Sequence, residues 1–127
     1  MVIDSSAMIA ILRLEDEAPK FAKAISSDPV RLISAATMVE IGILLIARSD
    51  SAYQEFEQLI SDIEIEIVPV DEQQSRIALD AFRRYGKGRH PARLNYGDCF
   101  TYALAKLSGE PLLFKGNDFS QTDVLRA

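Results

Sequence analysis

The sequence predicts an α/β fold, in which helices cover both faces of a central, mainly parallel sheet of four to five strands. Two observations support this fold. Short aliphatic runs rich in β-branched residues alternate along the chain with longer segments whose apolar residues recur at helical spacing. In addition, the chain opens as a strand, a helix cap and a helix in direct succession. Its length of 127 residues predicts a single domain over residues 1–127.

The first strand and helix meet at Asp4. Val2 and Ile3 favour an extended backbone, and Asp4 and the two serines after it are good helix N-caps. The apolar series from 7 to 14 is too long for a strand and predicts a helix. Asp4 therefore ends a strand, at the sheet edge where open α/β folds bind ligands.

Three helices and one strand follow before residue 64. A helix over 15–25 carries Pro19 in its first turn, and a buried strand is predicted at 30–35. Apolar residues nearly encircle the next helix, over 37–47, so we expect that helix to be heavily buried. An amphipathic helix follows, with its apolar face between 53 and 63.

The second half of the chain repeats this alternation. Residues 64–70 form the third strand, and Pro69 indicates that it lies at an edge. The remaining predicted elements are, in order, an amphipathic helix over 71–85 ended by Gly86, a basic loop over 86–93, a helix from Asn95 to Gly109, a strand at 111–114, a turn over 116–119 and a short final strand at 122–125.

Composition limits where the protein acts. Hydrophobic residues at 48% and charged residues at 26% are ordinary for a soluble globular protein. No apolar run approaches the ~20 residues of a membrane span, and no secretory signal begins the chain. We therefore expect a cytoplasmic protein with no membrane partner. The net charge of -5 argues against general nucleic-acid binding but not against an enzyme that meets phosphates through a metal.

The available side chains also limit the chemistry. Cys99 is the single cysteine and His90 the single histidine, which excludes an intrachain disulfide and a zinc site built from cysteine and histidine. Carboxylates remain as the main ligands for a metal. They favour hard cations such as Mg²⁺ or Mn²⁺.

Four acids are candidates for such a site, and each also has a purely structural explanation. Asp4 is a helix cap, Glu40 has the spacing of a capping box with Thr37, Asp98 has that spacing with Asn95, and Asp118 lies in a turn. Together they fall where strands end or following helices begin, at one sheet edge. Two such charges near 4 Å repel by about 4 kcal/mol at an effective dielectric constant of 20, so either geometry separates them or a cation holds them. Asp71 satisfies the same placement, although capping of the helix after it explains that residue well.

Four motifs resemble a PIN domain, and most nearly the VapC-type ribonuclease toxins of bacterial toxin–antitoxin pairs. The motifs are Met-Val-Ile-Asp4-Ser-Ser-Ala, Ser34-Ala-Ala-Thr-Met-Val-Glu40, Leu94-Asn-Tyr-Gly-Asp98-Cys and Leu112-Leu-Phe-Lys-Gly-Asn-Asp118-Phe-Ser-Gln-Thr-Asp123. They span the whole chain, in the order and with the separations of the family.

The resemblance implies an α/β/α sandwich in which Asp4, Glu40, Asp98 and Asp118 form one acidic pocket for Mg²⁺ or Mn²⁺. A metal-activated water would then hydrolyse an RNA phosphodiester bond. The resemblance also implies two partners, a cognate antitoxin that blocks the pocket and a second copy of the chain in a homodimer. Ser6 matches a small polar residue beside the first aspartate, and Asp123 matches a Thr-Asp pair common in the group. Asn117 stands where some relatives have a further acid, which leaves open whether one or two metal ions bind.

Two alternatives remain. In a phosphoacceptor signalling domain, Asp71 would accept the phosphoryl group and Lys115 would assist it; against this, a serine follows Asp4 where a second acid is needed, and Glu40 would have no role. The other alternative is a PIN-type fold that binds a partner without catalysis. The four intact acids argue against it.

One dense basic run lies between residues 83 and 93 and surrounds two glycines. It is either a solvated helix end, where cations favour the helix dipole, or a contact for the RNA backbone. Arg89 and Arg93 are the candidate RNA-binding residues.

Overall fold

The computed structural model describes all 127 residues and contains one sheet of four strands. The strands are β1 (Val2–Ile3), β2 (Leu32–Ser34), β3 (Glu66–Val68) and β4 (Leu112–Leu113), in the order β3-β2-β1-β4. Every neighbouring pair is parallel, as predicted. The third strand lies at an edge, which confirms the position that Pro69 indicated.

The final strand predicted at 122–125 is absent. The segment makes a single parallel bridge, between Leu112 and Arg126, and forms no ladder. The Thr122 hydroxyl donates to the Phe119 carbonyl oxygen, and the Asp123 carboxylate accepts from Tyr102 on a neighbouring helix. These side-chain bonds bend the segment away from the extended course that a strand requires.

Six helices surround the sheet. They are α1 (Ser5–Leu12), α2 (Ala18–Ser27), α3 (Ala35–Ile46), α4 (Asp50–Asp62), α5 (Glu72–Tyr85) and α6 (Tyr96–Ser108). None of the six has the length and apolar character that a membrane span needs. A left-handed Gly109, with φ of 72°, ends α6 as its position in the sequence predicted.

The structure excludes the capping box that the spacing of Thr37 and Glu40 allowed. Ser34, the last residue of β2, caps α3 by accepting a hydrogen bond from the Ala36 N–H, so the helix begins two residues earlier than predicted. Thr37 and Glu40 therefore lie inside the helix. The Glu40 carboxylate is consequently free of any capping role.

The sheet separates two apolar cores. Ile3, Ile33 and Leu113 point to the core formed with α1 to α4, whereas Val2 and Leu112 point to the core formed with α5 and α6. Successive strand residues alternate between faces, so each short strand serves both cores. The chain is thus an α/β/α sandwich, and the predicted fold class is confirmed.

The expectation that α3 would be heavily buried is wrong. Val39 and Ile43 are 61% and 63% exposed, and Leu44 and Ile46 are about half exposed. Only one stripe of the helix, which includes Thr37 and Ile41, is buried against its neighbours. The helix lies on the outside of the sandwich, so its remaining apolar side chains form an exposed face.

Candidate active site

The structure places the four predicted acids around the carboxyl ends of the central strands. Asp4 directly follows β1, and Asp118 lies in the segment after β4, which pairs with β1. Glu40 is in the second turn of α3, the helix that leaves β2. Asp98 lies in the first turn of α6. One sheet edge therefore collects acids from four separate parts of the chain.

Asp4 is a buried carboxylate, in a residue only 3% exposed. Its Oδ2 accepts hydrogen bonds from the Ser6 N–H at 2.9 Å and from Ser6 Oγ at 2.6 Å. Desolvation raises the pKa of Asp4, although the bonds from Ser6 and the hydroxyl of Thr101 act in the opposite direction. Asp4 caps α1, as predicted, but its burial makes its charge costly for the fold.

Asp98 shows that the four acids interact as one group. Burial raises the pKa of Asp98 to about 6, and the charges of Asp4, Asp118 and Glu40 act in the same direction, against the stabilising bond from the Asn95 N–H. Burial and the charge of Asp4 likewise raise the pKa of Glu40, while a hydrogen bond with the Ser5 side chain lowers it. Three of the acids therefore carry negative charge at buried or half-buried positions, and the fourth, Asp118, is exposed beside them.

The donor chemistry of this group fits a hard divalent cation. Its oxygen atoms are the ligands that Mg²⁺ and Mn²⁺ prefer, and no lysine or arginine pairs with the four carboxylates. In this structure no three of the side chains are arranged as a ready-made ligand set. Asp98 Oδ2 instead accepts from the Asn95 N–H at 2.7 Å, in the predicted capping box. Asp98 would have to release this capping bond if the same oxygen were to bind an ion.

Hydroxyl groups hold the elements of the site together. Ser6 Oγ donates to Asp4 and accepts from the Lys115 N–H at 2.9 Å, so it ties the end of β1 to the end of β4. The hydroxyls of Thr37 and Thr101 lie 3.2 Å apart, and both residues are 1% exposed. The Thr101 hydroxyl also acts to lower the pKa of Asp4, so this pair of threonines links α3 and α6 beside the buried carboxylate.

Thr101 was not predicted from the sequence. The signal that marks it is its spacing, since a residue three positions after Asp98 on a helix lies on the same face. A threonine at that position, inside an otherwise apolar and aromatic stretch, needs a hydrogen-bond partner.

Asp123, by contrast, lies outside the acidic group. Its Oδ1 accepts from the Tyr102 hydroxyl at 2.6 Å, and its Oδ2 lies 3.4 Å from both Arg84 and Lys106. Desolvation opposes ionisation, but the bond from Tyr102 and the two cations outweigh it and hold the pKa of Asp123 at about 2. The carboxylate therefore fastens the C-terminal segment to α5 and α6.

Arg89 and Arg93 are exposed on the loop between α5 and α6. The Arg89 guanidinium lies 5.9 Å from the centre of the Phe82 ring, and Arg93 adopts a left-handed backbone with φ of 55°. Neither side chain forms an ion pair within the chain. Both cations are therefore available to an anionic partner.

The arrangement required of a phosphoacceptor domain is absent. Asp71 follows β3 and caps α5 by accepting from the Gln74 N–H at 2.8 Å, while Lys115 follows β4 at the opposite edge of the sheet. Three inter-strand spacings, or about 14 Å, separate those two strands. Lys115 Nζ instead binds Glu15 at 2.6 Å and Glu17 at 3.0 Å. The two residues therefore cannot act on one phosphoryl group.

Known proteins resemble this chain in both sequence and fold. Residues 1–125 match the PIN domain family. The Ribonuclease VapC of Mycolicibacterium smegmatis is 49% identical over 98% of this chain and 97% of its own length. Ribonuclease VapC28 of Mycobacterium tuberculosis is 47% identical over 100% of this chain and 97% of its own length.

Two solved structures share the fold at low sequence identity. VapC20 of Mycobacterium tuberculosis, described as a toxin that cleaves the sarcin-ricin loop, has a TM-score of 0.79 at 16% identity and covers 99% of this chain and 97% of its own. A toxin–antitoxin complex from Klebsiella pneumoniae has a TM-score of 0.77 at 18% identity, with coverages of 99% and 95%. On the match to the family and on relatives that are nearly half identical, this chain belongs to the PIN domain family and, within it, to the VapC group.

Proposed function

We propose that this protein is an endoribonuclease toxin that hydrolyses RNA phosphodiester bonds with Mg²⁺ or Mn²⁺, and that residues 1–127 act as one domain. The observation that carries the proposal is the placement of Asp4, Glu40, Asp98 and Asp118 around one edge of the sheet. Burial, and after it the charges of the other three acids, raise the pKa of Asp98 to about 6 there. No basic side chain offsets this charge, and a divalent cation would. The relatives named as ribonucleases support RNA as the substrate.

Each acid has a place in this function. A bound divalent ion supplies Lewis-acid activation of water and stabilises charge on the scissile phosphate. Asp4 and Asp98, with Glu40, would hold the ion directly or through water, and Asp118 would complete the set. Ser6 and Thr101 keep the Asp4 carboxylate oriented through their hydroxyl groups.

Removal of divalent cations tests this proposal. We expect the purified protein to cleave RNA in buffer with Mn²⁺ or Mg²⁺, to lose cleavage on addition of a chelator and to regain it when Mn²⁺ is restored. Gel analysis of a structured RNA measures the rate. Equal cleavage with and without the chelator would contradict a metal-dependent nuclease. Cleavage under neither condition, with RNA still bound, would favour a PIN-type fold that acts only by binding.

In this proposal, Arg89 and Arg93 on the loop between α5 and α6 contact the RNA backbone. Reversal of both charges, in Arg89→Glu with Arg93→Glu, is expected to weaken RNA binding and to reduce the slope of log affinity against log salt by about 0.7 for each lost phosphate contact. Fluorescence anisotropy at several salt concentrations measures both quantities.

Arg76→Glu with Arg83→Glu is the matched control, because both arginines lie on exposed positions of α5 and pair with acids in the same helix. This control changes the net charge equally and is expected to leave the salt slope closer to that of wild type. If the slope of log affinity against log salt is unchanged when both loop charges are reversed, Arg89 and Arg93 do not contact the RNA backbone.

The proposal includes two protein partners, a cognate antitoxin and a second copy of the chain. Exposed apolar side chains on two sides of the molecule support such contacts: Val39 and Ile43 on α3, and Leu79, Phe82 and Tyr96 on α5 and α6. The solved complex that shares the fold contains a toxin with its antitoxin. We place the protein in the cytoplasm, where its proposed RNA substrate is found.

A further inference from the structure

We infer that Gly97 is a positioning residue of the proposed active site, because its missing side chain leaves the space that the Glu40 carboxylate occupies. The inference rests on the proposed function, since Gly97 acts only through Glu40.

The geometry at Gly97 is specific to that carboxylate. A Cβ atom added to Gly97 would lie 2.6 Å from Glu40 Oε2 and 3.1 Å from its Cδ. Ordinary contacts between heavy atoms lie near 3.5–4.0 Å, so such a Cβ atom and the carboxylate exclude each other. The next neighbour, Asn95 Oδ1, would be 3.4 Å away, within ordinary contact. Only Glu40 is therefore obstructed, and it meets the new atom with the far end of a flexible side chain.

The backbone gives no other reason for glycine at this position. Left-handed conformations occur at Gly88, Gly109 and Gly116, where glycine is favoured, and Gly97 is not among them. It lies in the first turn of α6, where alanine would reduce the entropy cost of fixing the helical backbone. Glycine is explained at this position by the space that it leaves for the Glu40 carboxylate from α3.

Displacement of Glu40 would disturb the rest of the acidic group. Its carboxylate lies close enough to the Ser5 side chain and to the Asp4 and Asp98 carboxylates for these groups to shift one another's pKa values. It therefore lies between β1 and the first turn of α6. A shift of about 1 Å in a group that orients reacting atoms is enough to lower a rate by roughly 100-fold.

The experiment compares wild type, Gly97→Ala, Glu40→Gln and the variant with both changes. Three quantities are measured: RNA cleavage in Mn²⁺, Mn²⁺ binding by calorimetry without RNA, and the temperature of unfolding without metal. We expect Gly97→Ala to unfold at the same or a higher temperature than wild type, while cleavage and Mn²⁺ affinity each fall about 10- to 100-fold. RNA cleavage and Mn²⁺ affinity in the double variant are expected to be no lower than in Glu40→Gln, because both changes remove the same interaction.

The control is Gly42→Ala, which introduces the same atoms at a helical glycine of α3 whose added Cβ would lie 3.2 Å from the Tyr53 ring and near no acid. We expect this control to keep its Mn²⁺ affinity. If Glu40→Gln is impaired but Gly97→Ala cleaves RNA and binds Mn²⁺ as wild type does, the role of Gly97 is overturned and the proposed function stands. A lowered unfolding temperature in Gly97→Ala, or additive losses in the double variant, would also overturn it. If Glu40→Gln itself behaves as wild type, the part of the proposed function assigned to Glu40 fails, and the role of Gly97 fails with it.

Discussion

The change Asp98→Asn is expected to lower the rate of Mn²⁺-dependent RNA cleavage by about 100-fold or more while leaving the fold intact. Asparagine keeps an oxygen that accepts from the Asn95 N–H, so the start of α6 retains its capping box. The lost charge belongs to the carboxyl whose pKa is raised by the charges of all three other acids. Cleavage of a labelled RNA under single-turnover conditions measures the effect.

Asp71→Asn is the matched control for this prediction. Asp71 also follows a strand and caps a helix, through the Gln74 N–H, but it lies at the edge strand β3 and away from the acidic group. We expect this variant to cleave RNA at the wild-type rate. Wild-type cleavage by Asp98→Asn would show that Asp98 acts only as a helix cap.

The change Asp98→Asn is also expected to alter the pH dependence of stability in the absence of metal. The pKa of Asp98 is raised from 3.8 to about 6 in the folded protein, so the folded state holds the proton more tightly than the unfolded chain does. The contribution of Asp98 to stability is therefore fully present below pH 3.8 and declines as pH rises to about 6. We expect Asp98→Asn to flatten this part of the profile in chelator and to unfold at a higher temperature than wild type at pH 7.

The second large effect is expected for Asp4→Asn, which should also lower the rate of Mn²⁺-dependent RNA cleavage by about 100-fold or more. Asp4 is the most buried of the four acids, and its ionised form is disfavoured by desolvation. Its replacement by a neutral amide removes that cost and keeps the bond from the Ser6 N–H. We therefore expect the free energy of unfolding in chelator to change by no more than about 1 kcal/mol.

Urea unfolding and RNA cleavage on the same preparation separate the two roles of Asp4. A large loss of stability with unchanged specific activity would assign Asp4 to capping of α1 alone. Loss of activity with retained stability would assign it to the site.

The features predicted correctly from the sequence depend on neighbouring residues. Asp71, Asn95 and Gly109 mark helix ends through hydrogen bonds or backbone conformations that span a few positions. The alternation that predicted β3, and the proline that predicted its edge position, are equally local. The sheet edge shared by the four acids followed from this local pattern together with the general rule for parallel strands.

The features that were missed depend on distant parts of the chain. The exposed face of α3 could not be distinguished from a buried one, because its residues are apolar on both sides and only packing decides which side is covered. The contact between Gly97 and Glu40 joins residues far apart in the chain, and so does the contact between Thr101 and Asp4. No periodicity predicts such pairs. The hydrogen bond from the Tyr102 hydroxyl to Asp123 also joins two separate segments and was missed for the same reason.

The acidic group draws on residues from nearly the full length of the chain, from Asp4 to Asp118. No part of a growing polypeptide that ends before the last of them contains the complete set. Contacts between such distant segments also form late, because closing long loops is entropically costly. A nascent chain on the ribosome therefore lacks the complete acidic group until residue 118 has been added.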